Sequence, residues 1–239
     1  MMVPPMENKP VSLPLLRDFF ALFFPRYCAG CEGPILAQEN TLCTQCLTQL
    51  PKTNYHLDPD NPVKTRLTGR LPLEHAFAFL HFRKSGMVQN LLHRLKYKNQ
   101  PEIGVAMGRL YGRELMLAGY GQRFDLIVPV PLHQARHRQR GYNQSAKFAE
   151  GLGVALGLPW HESISLRKQA TRTQTRKTRA QRWTNVEDAF AVGNTQPIEN
   201  QRVLLVDDVI TTGATLEACG QQLLNHGCRS LSVACIAEA

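Results

Sequence analysis

The chain has 239 residues, of which 43% are hydrophobic and 20% are charged, and its formal net charge is +9. This composition excludes a disordered or low-complexity chain, and the length suits one ordinary domain with a small additional module. The basic charge is compatible with polyanionic or phosphorylated partners, but a solubilising surface would look the same.

The N-terminal segment carries no export signal. Residues 1–11 are expected to be disordered, and residues 12–25 are predicted to form a helix that begins at Ser12 and ends at Pro25. The apolar run at 13–24 is shorter than the roughly 20 residues of a transmembrane helix, and it leads into cysteines instead of a cleavage site. Its scarcity of basic residues favours packing on the protein over lying on a membrane. We therefore expect a cytoplasmic protein without a transmembrane segment, either free or peripheral at the inner face of the membrane.

Four cysteines are concentrated between positions 28 and 46, with the spacing C-x2-C-x11-C-x2-C. Two C-x2-C knuckles can bring four thiolates around one tetrahedral Zn²⁺, and four cysteines make a closed, structural site. Disulfides are a rival interpretation that the absence of an export signal disfavours, and redox chemistry is a second rival. The predicted zinc ligands are Cys28, Cys31, Cys43 and Cys46.

The remainder of the chain alternates between strand and helix patterns. Residues 51–73 are rich in Pro, Asn, Thr and Asp, and this composition predicts a linker or loop. Strands are predicted at 76–82, 124–130, 203–206 and 231–236, and helices at 86–97, 103–117, 145–156 and 215–225. Such alternation over more than 100 residues indicates βαβ units and a parallel sheet.

The segment VLLVDDVITTGAT at 203–215 carries the clearest chemical signal. A buried strand delivers Asp207 and Asp208 to its carboxyl end, where parallel sheets bind ligands. The following threonine- and glycine-containing turn opens a helix, and its N–H groups, its hydroxyls and the helix dipole suit a phosphate. Two carboxylates would repel a phosphate bound beside them. Vicinal ribose hydroxyls that donate to the carboxylates, with Mg²⁺ nearby to offset the charge, would remove this conflict. The segment therefore predicts a ribose 5-phosphate site.

VLLVDDVITTGAT resembles the phosphoribosyl-pyrophosphate motif of type I phosphoribosyltransferases along its whole length. The resemblance implies that Asp207 and Asp208 are the catalytic acids. The residues implied to bind phosphoribosyl pyrophosphate are Asp207, Asp208, Thr211, Thr212, Gly213, Ala214 and Thr215.

Two basic segments lie between the cysteines and this motif. No acid occurs from 126 to 149, a stretch that contains PVPLHQARHRQRGYNQ, and none occurs from 163 to 186. The second stretch is rich in Arg, Lys, Thr and Gln and therefore cannot contribute to a hydrophobic core. We expect it to form a solvated loop or an anion-binding flap.

The cysteine block, LKYK at 95–98, PVPLHQARHRQRGYNQ and the acidic motif together resemble the ComF family, which joins an N-terminal zinc module to a phosphoribosyltransferase-like domain. The implied fold is α/β, with a parallel-sheet, Rossmann-like type I phosphoribosyltransferase-like domain and a small zinc-ribbon-like module. We expect the module at 1–60 and the larger domain at 61–239. The chain departs from the family pattern at Asn99, where Gly is usual, and at Lys177, where Leu is usual.

The resemblance also assigns roles to the basic segments. The pyrophosphate or anion loop would comprise Pro129, Val130, Pro131, Leu132, Arg136, Arg138 and Arg140, with Lys96 and Lys98 on the same side. The flap would contribute Arg172, Gln174, Arg176, Lys177, Arg179 and Arg182. Each of these bases can equally be general surface charge. Tyr142 can be a stacking platform or a core residue, and we favour the core.

Three functions are compatible with these features. The first is a Mg²⁺-dependent phosphoribosyltransferase with an unknown acceptor, acting in DNA uptake or natural transformation as the family resemblance implies. The second is a non-catalytic module that binds single-stranded DNA in the uptake machinery, with a helicase or translocase as a partner. The third is a nucleotide-salvage transferase, which the zinc module disfavours. No segment specifies an acceptor pocket, and fold alone does not establish catalysis.

Overall fold

The computed structural model describes residues 26–36, 38–162, 165–167, 190–192 and 198–239. The predicted N-terminal helix at 12–25 and the predicted flap residues from Arg172 to Arg182 lie outside these ranges. Among the helices that the model describes, none combines the length and the apolar character needed to cross a bilayer.

The strands and helices alternate in the order expected for βαβ units. The strands are β1 Leu73–His81, β2 Leu126–Pro129, β3 Ser165–Arg167, β4 Phe190–Val192, β5 Arg202–Ile210 and β6 Ser230–Glu238. The helices are α1 Thr44–Thr48, α2 Pro62–Leu67, α3 Met87–Tyr97, α4 Glu102–Leu117, α5 Gln134–Arg140, α6 Gln144–Leu156 and α7 Ala214–Asn225, and a 3₁₀ turn spans Tyr55–Leu57.

Four strands form one sheet in the order β1-β6-β5-β2, and each neighbouring pair is parallel. The predicted parallel α/β sheet is confirmed. In the register, Leu126 pairs with Val203 and Val203 pairs with Leu231, so these strands start level with one another. The carboxyl ends of β2 and β5 consequently meet at one edge of the sheet. Strands β3 and β4 form a separate antiparallel pair.

Helices cover both faces of the sheet, which explains why its strands are nearly continuous apolar runs. Alternate residues of β5 divide between two cores: Leu204 and Val206 pack with α3, α4 and α6, whereas Val203 and Leu205 pack with α2 and α7. Helices α4 and α6 approach closely at Gly108, where a Cβ atom would lie 2.3 Å from the Phe148 carbonyl oxygen. The tight contact fixes the start of α6 beside the end of β5.

The prediction of a loop at 51–73 is wrong, because this segment contains the 3₁₀ turn, α2 and the start of β1. Asn61 caps α2 by accepting from the N–H groups of Val63 and Lys64, and Pro62 occupies the first helical turn. Val63 and Leu67 are fully buried. A helix of six residues is too short to show helical periodicity among polar neighbours, so composition alone pointed to a loop.

Helix α5 was also not predicted, although its end signals are present in the sequence. The His133 side chain accepts from the Ala135 N–H at the start, and Gly141 ends the helix with φ of 79°. The helix buries none of its residues, so no apolar stripe marks it. Helix α5 therefore places Arg136 and Arg140 together on one short helix soon after β2.

Candidate functional site

The acidic pair near the end of β5 is held by contacts from two helices. The Ser145 hydroxyl at the start of α6 donates to Asp207 Oδ1 at 2.8 Å, and the Asp208 N–H donates to the same oxygen at 2.8 Å. Lys96 Nζ, near the end of α3, lies 2.9 Å from Asp208 Oδ2. Each carboxylate therefore has a protein partner that offsets the repulsion between them.

Burial and the charge of Asp208 raise the pKa of Asp207 to about 7, from an ordinary value of 3.8. The hydrogen bonds from Ser145 and the Asp208 N–H, together with the charge of Lys96, oppose this increase. The protonated form of the Asp207 carboxyl is therefore favoured more than in an ordinary aspartate. A ligand that donates hydroxyl hydrogen bonds or brings a cation would favour its charged form.

The turn after β5 presents its backbone to solvent. Thr211 and Thr212 are exposed, and Gly213 caps α7 in the left-handed region with φ of 79°. A Cβ atom at Gly213 would lie 2.6 Å from Leu67 Cδ2, so both conformation and space require glycine here. The Ala214 N–H donates to the Thr212 hydroxyl at 3.4 Å. The small side chains leave the helix start open, and N–H groups without an intrahelical partner suit an anion.

Two arginines from the α2 region hold this turn from behind. Arg66 Nη1 donates to the Thr211 carbonyl oxygen at 2.7 Å, and Arg70 Nη1 donates to the Thr212 carbonyl oxygen at 2.6 Å. Arg70 also pairs with Glu217 of α7 through Nε at 2.9 Å. The C=O and N–H of a trans peptide point in opposite directions. Because the Thr211 and Thr212 carbonyls are bound from behind, the N–H groups of the same two peptides face the other way, an orientation that suits an anion.

The segment after β2 is anchored by the side chain of Asn143. Its Nδ2 donates to the Val130 carbonyl oxygen at 3.0 Å, while its Oδ1 accepts from the Ser145 N–H at 3.1 Å. Asn143 therefore caps α6 and fixes Val130 with one amide. The Val130 N–H donates to the Val206 carbonyl oxygen at 2.8 Å, which ties this segment to β5 beside the acids.

These elements surround one polar cleft of about 350 Å³. The predicted residues that line it are Lys96, Val130, Pro131, Leu132, Arg136, Arg140, Asp207, Asp208 and Thr215. The lining residues that were not given a role from the sequence are Tyr97, Gln139, Asn143, Gln144, Ser145 and Val209.

Other predicted residues lie outside the lining. Pro129 is buried within β2, and Lys98 and Arg138 are exposed beside the cleft. Thr211, Thr212, Gly213 and Ala214 form the adjoining turn and the first residue of α7. Tyr142 packs against the core, as favoured from the sequence, and its hydroxyl donates to the Leu95 carbonyl oxygen at 2.5 Å.

The four clustered cysteines can hold a metal ion. Their Sγ atoms all lie within 4.8 Å of one another. Backbone N–H groups of Gly30 and Cys43 point at Cys28 Sγ at 3.4 and 3.3 Å. Backbone hydrogen bonds from Cys31, Cys43 and Gly30 outweigh burial and lower the pKa of the Cys28 thiol to about 6. The pKa of Cys43 is raised, and burial together with the neighbouring thiols raises that of Cys46. Four soft donors with N–H support fit a tetrahedral thiolate site.

Replacing Arg70 tests whether the turn binds an anion. We expect Arg70→Met to lower the affinity for ribose 5-phosphate roughly tenfold, about 1.4 kcal/mol, because a charge-assisted hydrogen bond to the Thr212 carbonyl is lost. Isothermal titration calorimetry would measure this. Arg113→Met, at an exposed position of α4, is the matched control and should stay within about twofold of wild type. Equal affinities of the two variants would refute the supporting role.

The raised pKa of Asp207 predicts a pH-dependent stability difference. Its protonated form favours the folded state, so the stabilising contribution is present at low pH and is lost as the pH rises from about 4 to about 7. Asp207→Asn stays neutral. It should therefore melt close to wild type at pH 4 and about 4–8 °C higher at pH 8, on the order of 2 kcal/mol.

Asp125→Asn is the control for that experiment, because its melting temperature should change in the opposite direction. The side-chain hydrogen bond from Arg202 lowers the pKa of Asp125 to about 2, so its carboxylate stabilises the fold at both pH values. This variant should melt below wild type throughout. A melting difference between Asp207→Asn and wild type that does not grow with pH, measured by thermal denaturation, would contradict the account of the acidic pair.

Comparison with known proteins agrees with this geometry. The family model for the phosphoribosyl transferase domain matches residues 145–239. The DNA utilization protein YhgH of Salmonella typhimurium is 36% identical over 225 residues, covering 93% of this chain and 94% of that protein. YhgH of Escherichia coli is 33% identical, covering 83% and 84%, and competence protein F of Haemophilus influenzae is 29% identical, covering 91% and 99%. The chain belongs to the ComF family, whose members carry a phosphoribosyltransferase-like domain.

Proposed function

We propose that the chain binds phosphoribosyl pyrophosphate with Mg²⁺ in the cleft beside Asp207 and Asp208, and that it acts in DNA uptake or utilisation. The single observation that carries the proposal is the convergence of an acidic pair, a glycine-capped helix start and an arginine-bearing helix around one polar cleft. A ribose 5-phosphate with a pyrophosphate group presents the complementary features: vicinal hydroxyls, one phosphate and a second polyanionic end.

In this proposal each part of the cleft has one task. The Asp207 and Asp208 carboxylates accept from the two ribose hydroxyls, and their charge stabilises the oxocarbenium-like sugar that forms when the bond to pyrophosphate breaks. The turn at 211–215 donates its N–H groups and hydroxyls to the 5-phosphate. Arg136 and Arg140 neutralise the departing pyrophosphate. The flap residues from Arg172 to Arg182, which lie outside the described residues, would exclude water.

The donor set fits a hydrated Mg²⁺ that accompanies the ligand. Two adjacent carboxylates line the cleft, and Lys96 already supplies one positive charge to Asp208. When bound, Mg²⁺ would neutralise the pyrophosphate oxygens and so improve the leaving group. Lys96 would then release Asp208 or share it with the ligand, which makes Lys96 a residue that responds to occupancy of the cleft.

We further propose that the cysteine cluster holds one structural Zn²⁺ and belongs to a module at 1–60, with the larger domain at 61–239. The number of cysteines favours a closed site, and the reduced thiols expected of a zinc site agree with a cytoplasmic location. The cluster packs on α3: Cys46 belongs to the same core as Leu91 and Leu95, and Arg94 pairs with Glu32 at 2.6 Å.

Metal analysis tests the zinc proposal. Reduced protein purified without chelator should contain about one zinc per chain, and Cys46→Ser should lose most of it because three thiolates bind far more weakly than four. Cys228→Ser, at a buried cysteine outside the cluster, is the control and should keep its metal. Wild-type protein without metal, or with disulfides between these cysteines, would refute the proposal.

The names of the relatives support a role with DNA. Proteins called DNA utilization protein and competence protein match most of this chain. Binding of single-stranded DNA that enters the cytoplasm is therefore the second candidate function. In that case the ribose-phosphate site would bind without turnover, and a helicase or translocase would be the partner. Nucleotide salvage is the third candidate.

Release of pyrophosphate distinguishes transfer from binding. The assay contains Mg²⁺ and phosphoribosyl pyrophosphate with pooled nucleobases, with single-stranded DNA, or with neither. We expect wild type to release pyrophosphate only when an acceptor is present, and Asp208→Asn to lose at least about a hundredfold of this rate. Asp60→Asn, at an exposed acid that does not line the cleft, should release pyrophosphate like wild type. Absence of both release and phosphoribosyl pyrophosphate binding in wild type would refute the proposed function.

A further inference from the structure

Tyr97 is the single aromatic residue among the described residues that line the cleft. It is the last residue of α3, directly after the lysine that pairs with Asp208. Its side chain is 61% exposed, although most aromatic rings of the described chain are buried or half-buried. Packing therefore does not account for a large ring at this position.

The ring already has a cationic neighbour. Arg140 Cζ lies 5.1 Å from the centroid of the Tyr97 ring, so the guanidinium of α5 is held against an aromatic face. The ring of His93, one turn earlier on α3, lies 5.2 Å away and is tilted by 45°. Two elements that meet at the cleft thus form an aromatic and cationic surface that is open to solvent.

Two buried donors beside this surface have no acceptor among the described residues. They are Arg140 Nε and Gln144 Nε2, and both residues line the cleft. Gln144 is only 1% exposed, so its amide is built into the site rather than left on the surface. A buried donor without an acceptor is costly, and a ligand with carbonyl, ring-nitrogen or phosphate acceptors would satisfy these groups.

Several cations lie near Tyr97, either next to it in the chain or in the lining of the same cleft. Lys98 follows it in the chain and is exposed, Arg136 lines the cleft on the facing helix, and no acid occurs from 126 to 149. The acids that do line the cleft are Asp207 and Asp208, and Lys96 offsets the second. Exposed aromatic rings interleaved with cations are the surface that single-stranded nucleic acids bind, because each nucleotide offers a ring to stack and a phosphate to neutralise.

We propose that Tyr97, with Arg140 and Gln144, is a seat for one nucleobase of a single-stranded nucleic acid at the mouth of the cleft. The base stacks on the Tyr97 ring, the unpartnered donors bind acceptors on the base or its phosphate, and Lys98 and Arg136 contact neighbouring phosphates. A free base would leave those two cations unused, and a duplex keeps its bases stacked on one another. The inference rests on the proposed function in taking the adjoining cleft as the ribose-phosphate site, and Arg136 and Arg140, which would neutralise pyrophosphate there, would serve one ligand at a time.

Fluorescence anisotropy with a labelled oligothymidylate of about 12 nucleotides tests this seat. Tyr97→Leu should bind about fivefold or more weakly than wild type, because one stacked base is lost, and Tyr97→Phe should restore binding to within about twofold. Tyr27→Leu removes another exposed tyrosine, 57% exposed and near the cysteines, and should bind like wild type. An abasic oligonucleotide of equal length should bind wild type and Tyr97→Leu equally, since it offers phosphates without bases.

Several outcomes would overturn the inference. They are absence of oligonucleotide binding by wild type, equal binding by wild type and Tyr97→Leu, or an equal loss for the abasic strand. Thymidine competing as strongly as the oligonucleotide would show that the seat takes a free nucleoside without phosphates, which also contradicts the proposal. Binding of phosphoribosyl pyrophosphate by wild type is measured in parallel, and its absence beside Tyr97-dependent oligonucleotide binding would refute the proposed function while leaving this inference intact.

Discussion

Two adjacent carboxylates near the end of a buried strand repel each other, and the folded chain must offset that repulsion. Here the compensation comes from the Ser145 hydroxyl of α6 and the Lys96 ammonium of α3. Both helices must therefore pack against the same edge of the sheet for Asp207 and Asp208 to be tolerated. The acidic pair thus depends on the tertiary structure, and the tight α4 and α6 contact at Gly108 helps to hold α6 where the pair needs it.

Helix α3 connects the acidic pair to the cysteine cluster. Its first residue, Met87, lies beside Gly30, its Arg94 pairs with Glu32, and its Lys96 reaches Asp208. A metal bound by the cysteines would therefore stabilise the surface on which this helix rests. The turn that follows β5 depends in the same way on α2, whose Leu67 and Arg66 lie beneath it. Neither helix falls within the residues that the phosphoribosyl transferase family model matches.

The sequence predicted the parts of the site that are contiguous in the chain. VLLVDDVITTGAT specifies a strand, an acidic pair and a helix start within 13 residues, and the cysteine knuckles specify a cluster by spacing alone. The supports of these parts could not be predicted in this way. Arg66 and Arg70 reach the turn across 145 and 142 residues of sequence, and nothing local distinguishes them from surface arginines. The position of Tyr97 could not be predicted from the sequence either, because only the fold shows that its ring is exposed and lines the same cleft as Asp208.

In the proposed function the acidic pair binds the two ribose hydroxyls while the turn at 211–215 binds the 5-phosphate. Calorimetric titration with ribose 5-phosphate and with 2-deoxyribose 5-phosphate, both in Mg²⁺, tests these two roles together. We expect wild type to prefer the ribose sugar by about tenfold, and Asp208→Asn to lose this preference while still binding phosphate at the turn. Equal affinity of wild type for the two sugars would contradict the assignment of the pair to the ribose.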